Sequence, residues 1–264
     1  MKKLLLFLSL FVITGCINQT AVETVEMIQP EVVIKQEKDL PLEAVVPVLI
    51  YHHVREIKET DSLNNQTFIV SPENFRQQMT YLKQQNFESI SFGNLIDYFE
   101  GNFEMPEKPV IISFDDGVIN QYANVWPILK ENNLTATFFI FPNPIGRSQN
   151  YMTWEQLTEL VGAGMEIGSH GWYHLYLDRI GELELEKELV ESKQVLEEKL
   201  GIQIRVIAYP FGSYNENVTE KIKQAGYQAA RGIVNGRVQT PENLYKIKGY
   251  FITNDFSRFK NIVD

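Results

Sequence analysis

From residue 45 onward, short apolar runs alternate with stretches whose apolar residues recur at helical spacing. Residues 45–51 (VVPVLIY) form the first β-branched run and predict a strand. Ser71-Pro72-Glu73 opens a helix: the serine caps it, the proline takes the first turn, and Phe75, Met79 and Leu82 share one face. Residues 109–114 (PVIISF) read as a fully buried strand that ends in Asp115-Asp116-Gly117, with a helix following through Leu129. A strand over 136–141, a helix over 153–161 and a strand over 165–169 come next, the last leading into His170. Leu185, Leu189, Leu196 and Leu200 mark the inner face of a long helix whose outer face is rich in acids. A strand over 206–209, a helix over 215–225 and a closing strand over 247–253 complete the series. Strands alternating with helices predict parallel βαβ units, and about seven such pairs in one domain suit an α/β barrel better than an open sheet. In such barrels chemistry collects at the C-terminal strand ends. His52-His53, Asp115-Asp116, His170 to His174 and Pro210-Phe211-Gly212 all fall at predicted strand ends.

The first residues follow a different pattern. Lys2 and Lys3 precede an apolar run over 4–13 broken only by Ser9, short of the roughly 20 residues a membrane span needs. The run ends in Ile13-Thr14-Gly15-Cys16, which resembles the lipobox of bacterial lipoproteins. That resemblance implies export, cleavage before Cys16 and a lipid on its sulfur, so that the protein would be anchored in the membrane at the bacterial cell surface. An ordinary signal peptide with an incidental cysteine is the alternative. Residues 17–42 contain no aromatic and read as a flexible tether. The expected division is therefore 1–15 signal peptide, 16–42 tether and 43–264 folded domain.

Composition narrows the function. Cys16 is the single cysteine, so neither an intrachain disulfide nor a thiolate zinc cluster can form. Lysine plus arginine number 24 against 34 acids, a net charge of −10 that argues against nucleic-acid partners. Two adjacent carboxylates, Asp115 and Asp116, should repel and raise one pKa unless a cation sits between them. Taken alone, the pair also suits a capping aspartate with a solvated neighbour. His170 and His174 are four apart, so on a helical turn both imidazoles point the same way and could share a metal; aromatic packing is the plainer alternative. Together the motifs supply Asp, His and His with a position left for water, the makeup of a catalytic rather than a structural zinc site.

These ordered motifs resemble the polysaccharide deacetylases of carbohydrate esterase family four, whose fold is an irregular (β/α)7 barrel. Ser113-Phe114-Asp115-Asp116-Gly117 is similar to the family's T-F-D-D-G block, which implies Asp115 as general base and Asp116 as metal ligand. Ser169-His170-Gly171-Trp172-Tyr173-His174 resembles its S-H-[ST]-x-x-H block, implying two histidine ligands. Tyr209-Pro210-Phe211-Gly212 resembles the block that lines the acetyl pocket and lends a backbone N–H to the oxyanion. The opening Val48-Leu49-Ile50-Tyr51-His52-His53 and the form Tyr-Pro-Phe-Gly-Ser-Tyr-Asn look most like the branch acting on poly-β-1,6-N-acetylglucosamine. The resemblance thus implies metal-dependent hydrolysis of N-acetyl groups from a surface polysaccharide, with zinc as the expected ion and cobalt or nickel as substitutes. Peptidoglycan, chitin oligomers and acetylated xylan are alternative substrates, and a non-catalytic glycan-binding lipoprotein is the alternative class. Trp172, Tyr173 and Tyr209 are candidates for stacking on sugar rings or for the core.

Three departures from the family pattern stand out. Gly171 replaces a Ser or Thr, so support for the histidine loop is weaker or comes from elsewhere. No arginine stands immediately before Pro210, and Lys248 falls near where this branch often has one. Many members also carry a general-acid histidine late in the chain. Here the four histidines are at 52, 53, 170 and 174, so the acid is expected at His52, on a first strand that would neighbour the last in a closed barrel. The lipobox supplies its own test: Cys16→Ala should move the protein from the membrane fraction to the soluble one with the domain's activity intact. Unchanged membrane retention would refute the lipid anchor.

Overall fold

The alternation of each short strand sends every second side chain inward, and seven strands do this around one axis. The computed structural model describes residues 39–264; the expected signal segment, most of the expected tether and Cys16 lie outside the described residues. The strands are β1 (Val48–Tyr51), β2 (Pro109–Asp115), β3 (Thr137–Ile140), β4 (Glu166–Ser169), β5 (Val206–Ala208), β6 (Ala229–Arg231) and β7 (Tyr250–Phe251). They form the main path of one eight-stranded parallel sheet in the order β6-β5-β4-β3-β2-β1-β7, and the short strand Glu88–Ser89 pairs beside this path with the start of β2. The gap between its edges is bridged by the segment before β7. Ile247 exchanges backbone hydrogen bonds with β6 through Ala230 and Gly232, and Tyr250 and Phe251 then pair with Leu49 and Ile50 of β1. The result is the irregular (β/α)7 barrel that the sequence predicts.

On β2, Val110, Ile112 and Phe114 point outward to the helix layer, while Ile111 and Asp115 take the inner register. The outer layer is built on aromatics: Phe114 stacks between Tyr51 and Phe138 at 5.2 and 5.1 Å and meets the edge of Phe75 at 5.7 Å. Helix Pro72–Gln84 supplies Phe75, Met79 and Leu82 to this layer from the face its spacing predicts. At the lower end, Glu166 of β4 accepts from the N–H groups of Phe92 and Gly93, closing the barrel floor against the start of helix Phe92–Phe99. No described helix is long and apolar enough to cross a membrane.

Several boundaries depart from the sequence reading. The first predicted strand is split at Pro47 into Ala44–Val45, which pairs antiparallel with Val238–Gln239, and β1. The closing strand shrinks to Tyr250–Phe251, because residue 247 pairs with a different neighbour. The long acidic helix spans 182–200 but contains a π turn over Lys187–Glu191. β6 is absent from the predicted series altogether: three residues, Ala-Ala-Arg, give no apolar run to detect.

Inside the barrel, packing leaves no slack around Gly168. A Cβ there would lie 2.6 Å from the ring of Phe139 and 3.0 Å from Val206. Gly168→Ala should therefore destabilise the domain by about 1–3 kcal/mol, read by chemical denaturation, as overpacking does. Leu183→Ala, at a position 81% exposed, serves as the near-neutral control.

Candidate active site

The same two-residue alternation that fills the barrel delivers chemistry to its mouth. Asp115 ends β2, His170 follows β4, His52 follows β1 and Arg231 ends β6, each in the inner register of its strand. The first three border one cavity of about 580 Å³ with His53, Asp116, His174, Tyr209, Phe211 and Gly212. Arg231 itself lies just beneath, 1% exposed.

Arg231 Nη2 donates to both carboxylate oxygens of Asp115 at 2.6 Å. Its guanidinium rests 5.1 Å from the ring centroid of Phe139. Burial pushes the Asp115 carboxyl up, but Arg231, aided by His170 and His52, outweighs this and holds it below the usual carboxylate range. Asp116 has no such partner. Burial, then the neighbouring Asp115 charge, push it up to about 7. The repulsion expected between adjacent carboxylates is thus resolved unequally, with one carboxylate neutralised by an arginine and the other left in want of a cation. Lys248 falls near where the family branch often has an arginine, and a lysine there can still give a charge partner. That lysine does not line the cavity, and the partner is Arg231, on the strand the apolar pattern does not reveal.

His170 and His174 do converge, with Nε2 atoms 3.1 Å apart. They do so on a loop rather than a helical turn, because Gly171 and His174 adopt left-handed backbone at φ 77° and 61°. The support that Gly171 cannot give by a hydroxyl comes from Glu188. Its carboxylate accepts from the N–H groups of Trp172 and Tyr173, both at 2.9 Å. His170 Nδ1 sits 2.8 Å from the carbonyl of Ala208, so this nitrogen carries the proton and Nε2 turns its lone pair to the cavity. Burial lowers the basicity of both imidazoles, that of His170 to about 3.

His52 Nε2 faces Asp115 Oδ2 across 3.8 Å, with its ring between Phe68 and Phe251. His53 turns aside to Asn120, 3.2 Å away. Gln121, fully buried, was not foreseen from sequence: its amide nitrogen donates to the carbonyls of both His52 and Asp115, tying the ends of β1 and β2 together. Of the aromatics expected at the sugar, Trp172 and Tyr173 lie outside the cavity lining. Tyr209 lines it but is 1% exposed and donates its hydroxyl to the Tyr245 carbonyl. The exposed aromatics at the mouth are Phe68, Tyr176 and Phe211, the last two stacked at 3.9 Å. Phe211 is held at φ 58° and the preceding Pro210 is buried.

Donor atoms of Asp116, His170 and His174 all lie within 4.8 Å of one another, a group that could hold a metal ion. The chemistry of the set fits a divalent cation: a carboxylate without a cationic partner and two neutral imidazoles, one with its tautomer fixed by a backbone carbonyl.

The polysaccharide deacetylase family model matches residues 103–230. The Bacillus subtilis (strain 168) protein YxkH, provisionally named a polysaccharide deacetylase, is 28% identical over 214 residues, covering 81% of this chain and 72% of its own. A poly-β-1,6-N-acetyl-D-glucosamine N-deacetylase of Staphylococcus epidermidis is 27% identical over 248 residues, covering 84% of this chain and 82% of its own. Among solved structures, a Bacillus cereus polysaccharide deacetylase superposes with a TM-score of 0.75 at 27% identity, over 84% of this chain and 70% of that one.

The buried pair makes a stability prediction. Arg231→Met leaves the buried Asp115 carboxyl without its counter-charge, and should cost about 3–5 kcal/mol in chemical denaturation. Lys221→Met, which removes a surface pair with Glu182, should change stability by less than about 1 kcal/mol.

Proposed function

The chain belongs to the polysaccharide deacetylase family, and on that footing we propose that it removes N-acetyl groups from poly-β-1,6-N-acetylglucosamine with a divalent cation held by Asp116, His170 and His174. The observation that carries this reading is the meeting, at one barrel mouth, of that donor group with an arginine-paired carboxylate and a facing histidine. The S. epidermidis likeness supports the choice of polymer. A cation bound there, zinc by preference and cobalt or nickel as substitutes, would polarise the amide carbonyl and make a water more acidic.

The remaining steps belong to this chain's own groups. Asp115, kept ionised by Arg231, accepts the proton that the attacking water loses. The Phe211 N–H donates to the oxygen on which negative charge develops, a contact typically worth about 2.7–4 kcal/mol in the transition state. Tyr209, Pro210 and Gly212 shape the pocket for the acetyl methyl. Protonated His52, made a ready donor by burial, hands its proton to the departing amine. The C–N bond breaks, and acetate and a free glucosamine amine leave. Export and a lipid on Cys16 belong to the same proposal, on the strength of the lipobox.

Acetate release from oligomers of the β-1,6 polymer, chitin, peptidoglycan strands and acetylated xylan, each with added Zn²⁺, Co²⁺ or Ni²⁺, tests the reading. Release is expected mainly from the β-1,6 polymer and should vanish with chelator. Release from another polymer alone would refute the substrate. His52→Ala should lower kcat by roughly 10²–10⁴ with metal content unchanged, and His53→Ala should do much less. Asp115→Asn should keep the metal and stop turnover. Near-normal kcat in His52→Ala would remove it as the acid.

A further inference from the structure

One carboxylate near the site is buried without a cation. Glu188 is 0% exposed, and no lysine, arginine or histidine among the described residues lies within ion-pair distance of it. Burying a charge this way is costly unless hydrogen bonds replace the lost water. Here they do: Trp172 and Tyr173 donate their N–H groups at 2.9 Å, and the amides of His174 and Leu175 also turn toward the carboxylate. Four successive amides aimed at one anion form a concave backbone nest, and such a turn needs the left-handed residues found at Gly171 and His174.

Two further features belong to the same arrangement. Glu188 lies within the π turn Lys187–Glu191, an insertion of the kind that re-aims side chains at functional sites. Ser192 then fixes that turn, donating to the Glu188 carbonyl at 2.5 Å with its oxygen 3.0 Å from Ser169 Oγ, and Ser169 Oγ in turn accepts from the Gly171 N–H at 3.3 Å. Gly171 is also obligatory for space. A Cβ there would stand 2.3 Å from Glu188 Oε2, so the carboxylate fills the volume any side chain at 171 would need.

We propose that Glu188 is a positioning residue whose buried carboxylate, in space vacated by Gly171, folds the 171–175 loop so that His174 reaches the metal-binding group. The proposal deepens the metal reading above and rests on it for its effect on affinity, but not for the folding of the loop. It couples two residues 17 positions apart in sequence, neither of which lines the cavity.

The test has two arms. In the metal-free protein, amide hydrogen exchange of residues 172–175 should quicken at least tenfold in Glu188→Gln, whose amide turns a donor toward backbone donors, while exchange in β4 stays unchanged. By chelator competition, zinc affinity should fall about 10–100-fold in Glu188→Gln, as loss of an outer hydrogen-bond partner does. Gly171→Ala should weaken zinc binding at least comparably alone but add less in the Glu188→Ala background, because the clash is then gone and only the strain of a Cβ at φ 77° remains. Unchanged loop exchange, unchanged zinc affinity, or strictly additive effects of the two substitutions would each overturn the proposal. A wild-type protein that binds no zinc would count against the metal reading instead, and the exchange arm would still decide whether Glu188 holds the loop.

Discussion

Two carboxylates on consecutive residues cannot both stay ionised in a dry cavity unless positive charge is brought to each. Asp115 and Asp116 impose that constraint, and much of the barrel mouth answers it. Arg231 neutralises Asp115 from β6, three strands beyond β3 on the far side of the barrel. Asp116 has two neutral imidazoles beside it instead, an arrangement that becomes favourable when a cation joins them. The different charge states of the two acids therefore follow from where their counter-charges come from, not from any difference in the residues themselves.

The chain of support runs down through the core. Gly168 leaves room for the Phe139 ring, the ring underlies the Arg231 guanidinium, and the guanidinium holds Asp115. On the other flank, β1 lies between β2 and β7, so His52 meets Asp115 at a strand end whose backbone Gln121 ties to its own. Parallel topology supplies the general reason: all seven strands end at one rim, so residues far apart in sequence reach it in the same inner register.

Much of this was legible in the sequence where a motif sat on a long apolar strand. Residues 109–114 announced the strand and the acids that follow it, and the structure adds that Asp115 takes the inner register. The family resemblance, the small number of histidines and barrel closure singled out His52, and the structure places its ring opposite Asp115, while its role as the acid belongs to the proposal. Arg231 was hidden because β6 has three residues and no apolar run, so no register could be counted to it. The H-x3-H spacing correctly joined its histidines but suggested the wrong backbone; positive φ at a histidine is enforced from outside the loop. Its enforcer, Glu188, is one acid among many on a helix whose spacing marks it as surface, and only the π turn brings it inside.

Five described non-glycine residues have left-handed backbone, and three of them are Asp116, His174 and Phe211. Each conformation is disfavoured for a residue with a Cβ, by about 1–3 kcal/mol, so it persists only where surroundings insist on it. This bears on any attempt to transplant the site. Grafting the acids and histidines onto another barrel's regular strand ends would reproduce the identities and miss the directions, since those are written in the main chain. A successful transfer would have to carry the loops with their distant braces, which makes the unit of inheritance here the whole rim rather than a set of side chains.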